Sequence, residues 1–358
     1  MSQRTIRPTI ADVAREAGVS KTAVSFAFNT PARLKPETAD RIREVAETLG
    51  YRPHPVARML TQRRTMTVGI LTPQALSVIF TNPFIGAFSE GCALAAEESG
   101  YSLQFISPVH GSLLRAIGRA TVDGVVAMGL QDDHPEVEQI RRAGVPMVMV
   151  DSSAMAGMSS IDVDDEGGAR SAAEHLVELG HRDMVVLGVQ PPPPATSLSP
   201  DGVMGRRLRG YRAALAHAGV SLGDERVVVG PASIAGGAVA FERAWDAGIR
   251  PTAILSMSDA MAIGALRTIR ERGLTCPRDI SVVGFDDIDL ASHTDPPLTT
   301  VHQPTRQKGE EAVRMLLSLE GRPEFDEPVH RRLATRLVIR DSTARAPHAR
   351  QEVAGAQD

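Results

Sequence analysis

The sequence predicts an all-α helix-turn-helix module at the N-terminus, followed by an α/β body of parallel sheets covered by helices. Three observations carry this. Two short amphipathic helical patterns flank one glycine between Thr9 and Asn29. From Thr67 onward, short apolar runs alternate with amphipathic helical segments. Charge is also split: residues 1–64 hold 12 Lys and Arg against 6 Asp and Glu, while the remainder holds 27 against 37. A basic module ahead of an acidic body suits electrostatic contact with phosphates at one end only.

In the first pattern Ile10, Val13, Ala14 and Ala17 fall at helical spacing and form one apolar stripe. Thr9 and Asp12, three residues apart, can cap that helix. Gly18 stops it, because only Gly takes a positive φ cheaply at a tight turn. Ser20 can cap a second helix from Lys21 to Asn29. Val24, Ala27 and Phe28 share its inner side, while Lys21, Thr22, Ser25, Phe26 and Asn29 lie within an arc of roughly 140° on the other. Such a pair can place its second helix in the DNA major groove. A third helix is predicted over 36–50, with Ile42, Val45, Ala46 and Leu49 inward. A linker-like segment, 51–55, and a short run to Leu60 follow.

In the body, candidate strands are 67–73, 103–106, 124–128, 147–151, 184–188, 227–229, 253–257 and 281–285. Helical segments lie at 85–99, 136–143, 167–179, 205–218, 236–247 and 259–272. This alternation means parallel sheets buried on both faces. Pro191–Pro200 is a proline-rich loop that either rims a cleft or simply covers surface, and 342–358 lacks apolar periodicity and reads as a disordered tail. At 358 residues, with 42% hydrophobic and 23% charged residues, two or three globular domains are expected.

The wording "TIADVAREAGVSKTAVS…N…LGYRP…VARML" closely resembles the LacI-type (lactose/galactose repressor) family of bacterial transcription regulators, densely over the first 60 residues and more sparsely to about Asp341. The resemblance implies an N-terminal helix-turn-helix DNA-binding domain over 1–60, with a hinge helix at about 55–60. It also implies a periplasmic-binding-protein-like core over 67–341, made of two doubly wound parallel-sheet subdomains. The first would take about 67–162 and 303–331, the second about 163–299 and 333–341. By the same resemblance the protein is a homodimer on a near-palindromic double-stranded DNA operator, most simply a repressor. A small polar effector, a sugar or related metabolite, would lie between the subdomains and control operator affinity.

Site residues follow. Ser20, Lys21, Thr22, Ser25, Phe26 and Asn29 form the DNA-facing set on the second helix. Lys21 can donate to guanine and Thr22 to several bases, while Ser25 and Asn29 suit phosphates. Phe26 departs from the polar or Arg side chain common at that position in the family. Its ring either meets a thymine methyl, arguing for an A·T pair, or packs into the small domain. Ala57, Arg58 and Leu60 match the family's hinge helix, in which a Leu wedges into a minor-groove base step.

For the effector, ligands of doubly wound sheets lie at the carboxyl ends of strands. Asp151, Ser258 and Asp286 stand there, Arg207 opens a helix, and Asn82-Pro83-Phe84 resembles the family's "NPF" signature. Ser258 stands where Asn is frequent, and Ala232 where many sugar binders carry an aromatic platform. Asp259 and Asp287 are read equally well as capping or loop hydrogen-bonding residues.

Cys92 and Cys276 belong to no metal or disulfide spacing and read as reduced thiols. Asp162/Asp164/Asp165 and Asp286/Asp287/Asp289 lack His at ligand spacing, so no metal is expected, and no cofactor. No phosphate loop, GxSxG elbow or HExxH is present, so enzyme chemistry is not expected. A sugar- or nucleotide-processing enzyme would need such a constellation. A solute-binding transport component would share the body but need a signal peptide and lack residues 1–60. With no apolar stretch of membrane-span length, the expectation is a cytoplasmic, nucleoid-associated protein with no membrane partner.

Overall fold

The computed structural model describes residues 8–52, 64–132, 134–152, 155, 157–191, 200–323 and 326–347. The chain divides into two compact units, 1–65 and 66–358.

In the first unit α1 (Ile10–Glu16), α2 (Lys21–Asn29) and α3 (Pro36–Leu49) close on Val13, Val24, Ala27, Ile42 and Ala46, all essentially inaccessible to solvent. The caps are those the residues dictate. Thr9 N–H donates to Asp12 Oδ2 at 2.9 Å, and Ser20 Oγ accepts from Ala23 N–H at 3.1 Å. Gly18 between them takes φ +65°, and Val19 N–H closes α1 on Ala14 O at 2.9 Å. A 3-10 turn, Pro31–Arg33, follows α2 directly.

The second unit contains two sheets. The first holds β1 (Thr67–Leu71), β2 (Ser102–Ile106), β3 (Gly124–Met128), β4 (Met147–Val150), β5 (Ser160–Val163) and β11 (His330–Leu333). Their order is β11-β5-β4-β3-β1-β2, with every pairing parallel. The second holds β6 (Met184–Val189), β7 (Val227–Gly230), β8 (Ala253–Ser256), β9 (Ser281–Asp286), β10 (Thr299–His302) and β12 (Arg336–Val338). Here the order is β12-β10-β9-β8-β6-β7, and β12 alone runs antiparallel, against β10. All five residues of β3 are buried, as a strand covered on both faces must be.

Helices pack in pairs on these sheets. On the first, α5 (Pro83–Glu98) lies against α12 (Thr305–Leu317). On the second, α8 (Asp165–Glu178) lies against α9 (Val203–His217), and α10 (Ile234–Asp246) against α11 (Asp259–Glu271). The α5–α12 pair is close because Gly91 faces the other backbone: a Cβ there would sit 1.9 Å from Arg306 O. Short helices α4 (Leu76–Ile79), α6 (Leu113–Ile117) and α7 (Val137–Arg142) complete the first lobe.

The chain passes between the lobes three times: after β5, after β10, and between β11 and β12. Three boundaries differ from the sequence reading. The second lobe continues to His302, since β10 pairs with β9 through that residue. Leu333 belongs to the first sheet, where it pairs with Val163. The expected tail does not begin at 342. Ser342 Oγ donates to Val282 O at 2.6 Å and accepts from Thr299 N–H at 2.8 Å, and Ala346 N–H donates to Leu179 O at 2.8 Å. This segment docks through small polar side chains and main chain, so apolar periodicity does not reveal it. Residues 348–358 lie outside the described residues.

Candidate functional site

Two places in the molecule carry chemistry-bearing side chains on rigid supports. The first is the outer face of α2. Lys21 and Thr22 are exposed in its first turn, one residue beyond the Ser20 cap. Ser25 and Asn29, one turn apart, bond each other, Asn29 Nδ2 donating to Ser25 Oγ at 3.2 Å. Phe26 is half-buried and stands outside the hydrophobic cluster of the unit, with the Arg33 guanidinium 5.3 Å from its ring centroid. Phe28 is the aromatic packed against that cluster, 6.0 Å from Tyr51. Ala57, Arg58 and Leu60 lie outside the described residues.

The second is an open cleft between the lobes of the second unit. Asn82, Phe84, Asp151, Arg207, Ser258 and Asp286 all line it. They reach it from strand ends and helix starts: Asp151 follows β4, Asp286 ends β9, Ser258 precedes α11 and Asn82 precedes α5. Pro191 lines it too, while 192–199 lie outside the described residues.

Two of the six also cap helices. Ser258 Oγ caps α11 by accepting from Met261 N–H at 3.3 Å, and Asn82 Oδ1 caps α5 by accepting from Phe84 N–H at 3.1 Å. Asn82 retains its amide donors. Ala232 lines the cleft as well, so no aromatic platform stands there; the ring that does, Phe84, is a wall near its floor.

The floor is a chain of buried charges spanning both lobes. Lys308, on α12 and fully buried, donates to Asp151 Oδ1 and Oδ2 at 2.7 and 2.6 Å and to Gln303 Oε1 at 2.8 Å. Gln303 Nε2 donates to Asp286 Oδ1 at 2.6 Å. Arg207, 5% exposed, donates from Nε to Asp165 Oδ1 at 2.9 Å and from Nη1 to Met257 O at 2.6 Å, and its Nη1 lies 3.8 Å from Asp286. Its guanidinium also covers the Phe285 ring at 3.5 Å. Arg206 continues the chain to Asp165 at 2.8 Å and Asp162 at 3.4 Å. Sequence reasoning missed Lys308, Gln303, Asp165 and Arg206.

Burial governs the carboxyls. It pushes Asp286 up to about 6 against the pull of Arg207 and the Gln303 hydrogen bond, and Asp162 up to about 6 with help from Asp151. Asp259, buried beside Asp286, is held well above the usual carboxylate range. It serves structure: Oδ2 accepts from Ile288 N–H at 2.9 Å and Oδ1 from Thr300 Oγ1 at 2.5 Å. Asp287 is likewise occupied, by His302 at 2.9 Å and Arg340 at 2.6 Å. Asp151, Asp286 and Asp287 have φ of +51°, +124° and +58°. Non-glycine residues adopt such angles only when their surroundings hold them, and they concentrate at ligand sites. Another cleft group, Gln131, donates to Gly129 O at 3.3 Å and buries an Oε1 that has no partner among the described residues.

A helix-turn-helix unit and a two-lobed α/β unit with a polar-floored cleft together define a class, the DNA-binding regulators with a periplasmic-binding-protein-like body. Residues 9–54 match the bacterial regulatory proteins of the lacI family, and residues 173–343 match a periplasmic binding protein-like domain. The transcriptional regulator CelR of Thermobifida fusca is 34% identical over 354 residues, covering 95% of this chain and 99% of that protein. Two solved structures are similar. The CelR–cellobiose complex has a TM-score of 0.67 at 32% identity, over 94% of this chain and 100% of that one. The Lac repressor dimer bound to operator and an anti-inducer has a TM-score of 0.78 at 28% identity, over 94% and 99%. The chain belongs to the lacI family of bacterial regulatory proteins; it is a transcriptional regulator and not an enzyme.

Proposed function

We propose that a homodimer of this chain represses transcription from a near-palindromic operator in the cytoplasm, and that a neutral polyhydroxylated ligand in the cleft sets its operator affinity. Two-fold protein symmetry is matched by two-fold operator symmetry. Ser20, Lys21, Thr22, Ser25, Phe26 and Asn29 form its DNA-facing set, with Ala57, Arg58 and Leu60 of the hinge segment. Asn82, Phe84, Asp151, Arg207, Ser258 and Asp286 form its effector set.

The charge pairing at and beneath the cleft floor carries the reading of the ligand. Arg207, Arg206 and Lys308 are all held by carboxylates, and those carboxylates (Asp151, Asp162, Asp165 and Asp286) outnumber them by one. A phosphate or carboxylate ligand would have to break one of these pairs inside a low-dielectric site. Hydroxyl groups break none. They can donate to Asp151 and Asp286 and accept from Asn82. Phe84, Met128, Val189, Met204 and Met257 offer apolar surface for the ligand's C–H faces.

The test is a duplex-selection experiment with the full chain, followed by titration of the selected duplex with cellobiose, ribose and glucose 6-phosphate. Enrichment of a two-fold sequence, with release or tightening by a neutral sugar and none by the phosphate, is the expected result. Failure to enrich any sequence removes the DNA reading, and a response to the phosphate alone removes the charge argument.

A pH dependence follows from Asp286, which faces Arg207, Gln303, Lys308 and Asp151. Ligand hydroxyls donate to its ionised form. With a pKa near 6, lowering the pH from 7.5 to 5 leaves about one molecule in ten ionised, so the ligand's apparent Kd should rise about ten-fold. Titration of the neutral ligand at the two pH values measures it, and an unchanged midpoint removes Asp286 from ligand contact.

A further inference from the structure

The geometry points to Arg33 as a guanine-reading residue in the major groove, aimed by the Phe26 ring. Nothing in the sequence pattern singled Arg33 out, because it lies beyond the last residue of α2. The inference rests on the DNA-binding reading of that helix.

Four observations lead to it. Phe26 lies on the same arc of α2 as Lys21 and Thr22, is half-buried, and takes no part in the hydrophobic cluster of its unit. The Arg33 guanidinium lies 5.3 Å from the Phe26 ring centroid, within cation–π range. The backbone beneath Arg33 is fixed: Arg33 N–H donates to Thr30 O at 3.0 Å and Leu34 N–H to Pro31 O at 2.9 Å, with Pro31 locking the turn. Finally, no carboxylate pairs with Arg33 among the described residues, whereas Arg15 is held by Asp12 at 2.5 Å and Arg43 by Asp40 at 3.1 Å. Arg33 is an exposed, uncommitted cation.

A guanidinium that settles face-on against a ring keeps its in-plane N–H groups free. Those N–H groups form the planar fork that pairs with guanine O6 and N7 together. Phe26 offers no such donor itself. It can hold the donor of Arg33 in place and lower the entropy lost when that long side chain docks. The pair would act as a composite reader, with the ring from α2 and the fork from the turn behind it.

Selection from random duplex pools with the full chain, its Arg33→Ala and Arg33→Lys variants, and Phe26→Leu tests this. The wild type should show one G·C preference per half-site that Arg33→Ala reduces roughly ten-fold or more. Arg33→Lys should keep only part of it, since an ammonium lacks the fork. Phe26→Leu, checked for folding by circular dichroism, should weaken preference at the same position. An unchanged sequence preference in Arg33→Ala overturns the proposal. If its affinity then falls evenly across sequences and its salt slope drops by about one, Arg33 is a phosphate contact instead. A preference lost in Arg33→Ala but intact in folded Phe26→Leu overturns the platform role. If the wild type enriches nothing, the failure lies with the DNA-binding reading itself.

Discussion

Arg207→Ala is expected to lower the unfolding free energy of the second unit by about 3–5 kcal/mol and to abolish the response to effector in the molecules that remain folded. The size follows from what the guanidinium holds. It is 5% exposed, bonds Asp165 at 2.9 Å and the Met257 carbonyl at 2.6 Å, and stands 3.8 Å from Asp286. Removing it leaves Asp165, which is 1% exposed, with Arg206 as its remaining cation and leaves Asp286 facing a cavity. It also uncovers the Phe285 ring. Arg207→Lys keeps the charge but not the planar fork, so its cost should be intermediate. Urea unfolding followed by the fluorescence of Trp245 measures this, since the chain contains one Trp. A loss below about 1 kcal/mol for Arg207→Ala would mean that solvent replaces the guanidinium, and the buried-network account would fail.

Much of this was legible in the residues, and the reason differs by region. The helix-turn-helix is written locally: each cap and each turn glycine acts within four residues of the group it satisfies, so Thr9, Gly18 and Ser20 could be read one after another. The cleft residues were legible because strand ends in a doubly wound sheet always face one crevice, whatever the neighbouring lobe does. Lys308 was hidden because its partner Asp151 is 157 residues away, and because α12 looks like an ordinary amphipathic helix. One signal was available. The chain has three Lys among its 39 Lys and Arg residues, at 21, 35 and 308. Where nearly every cation is Arg, a lone Lys in the body marks a place that takes a compact ammonium and not a wide fork. Arg33 was hidden for a different reason: reading α2 as a helical face stops the reader at Asn29, and the cation beside the Phe26 ring comes from the turn beyond.

Lys308→Met should be the second most damaging substitution, and a paired variant separates its two consequences. Lys308 is 0% exposed and gives three hydrogen bonds, two to Asp151 and one to Gln303. Methionine fills similar volume but leaves the Asp151 carboxylate facing an apolar neighbour. The Asp151 side chain is 14% exposed, so solvent reaches part of that charge. The expected loss is therefore near the lower end of the range for an orphaned buried charge, about 3 kcal/mol. Asp151→Asn removes the orphaned charge while keeping side-chain shape, and Asn tolerates the φ of +51° at that position. The double variant Lys308→Met/Asp151→Asn should thus recover at least half of the lost stability in urea unfolding. It should not recover the effector response. Gln303 still loses the ammonium that orients it toward Asp286, so the two lobes no longer share one chain of charged hydrogen bonds across the cleft floor. A ligand that no longer distinguishes two lobe arrangements can shift nothing between them. A double variant no more stable than Lys308→Met would show that packing, not the stranded charge, caused the loss. A double variant with the wild-type effector midpoint and amplitude would show that the Asp151–Lys308–Gln303 chain plays no part in signalling.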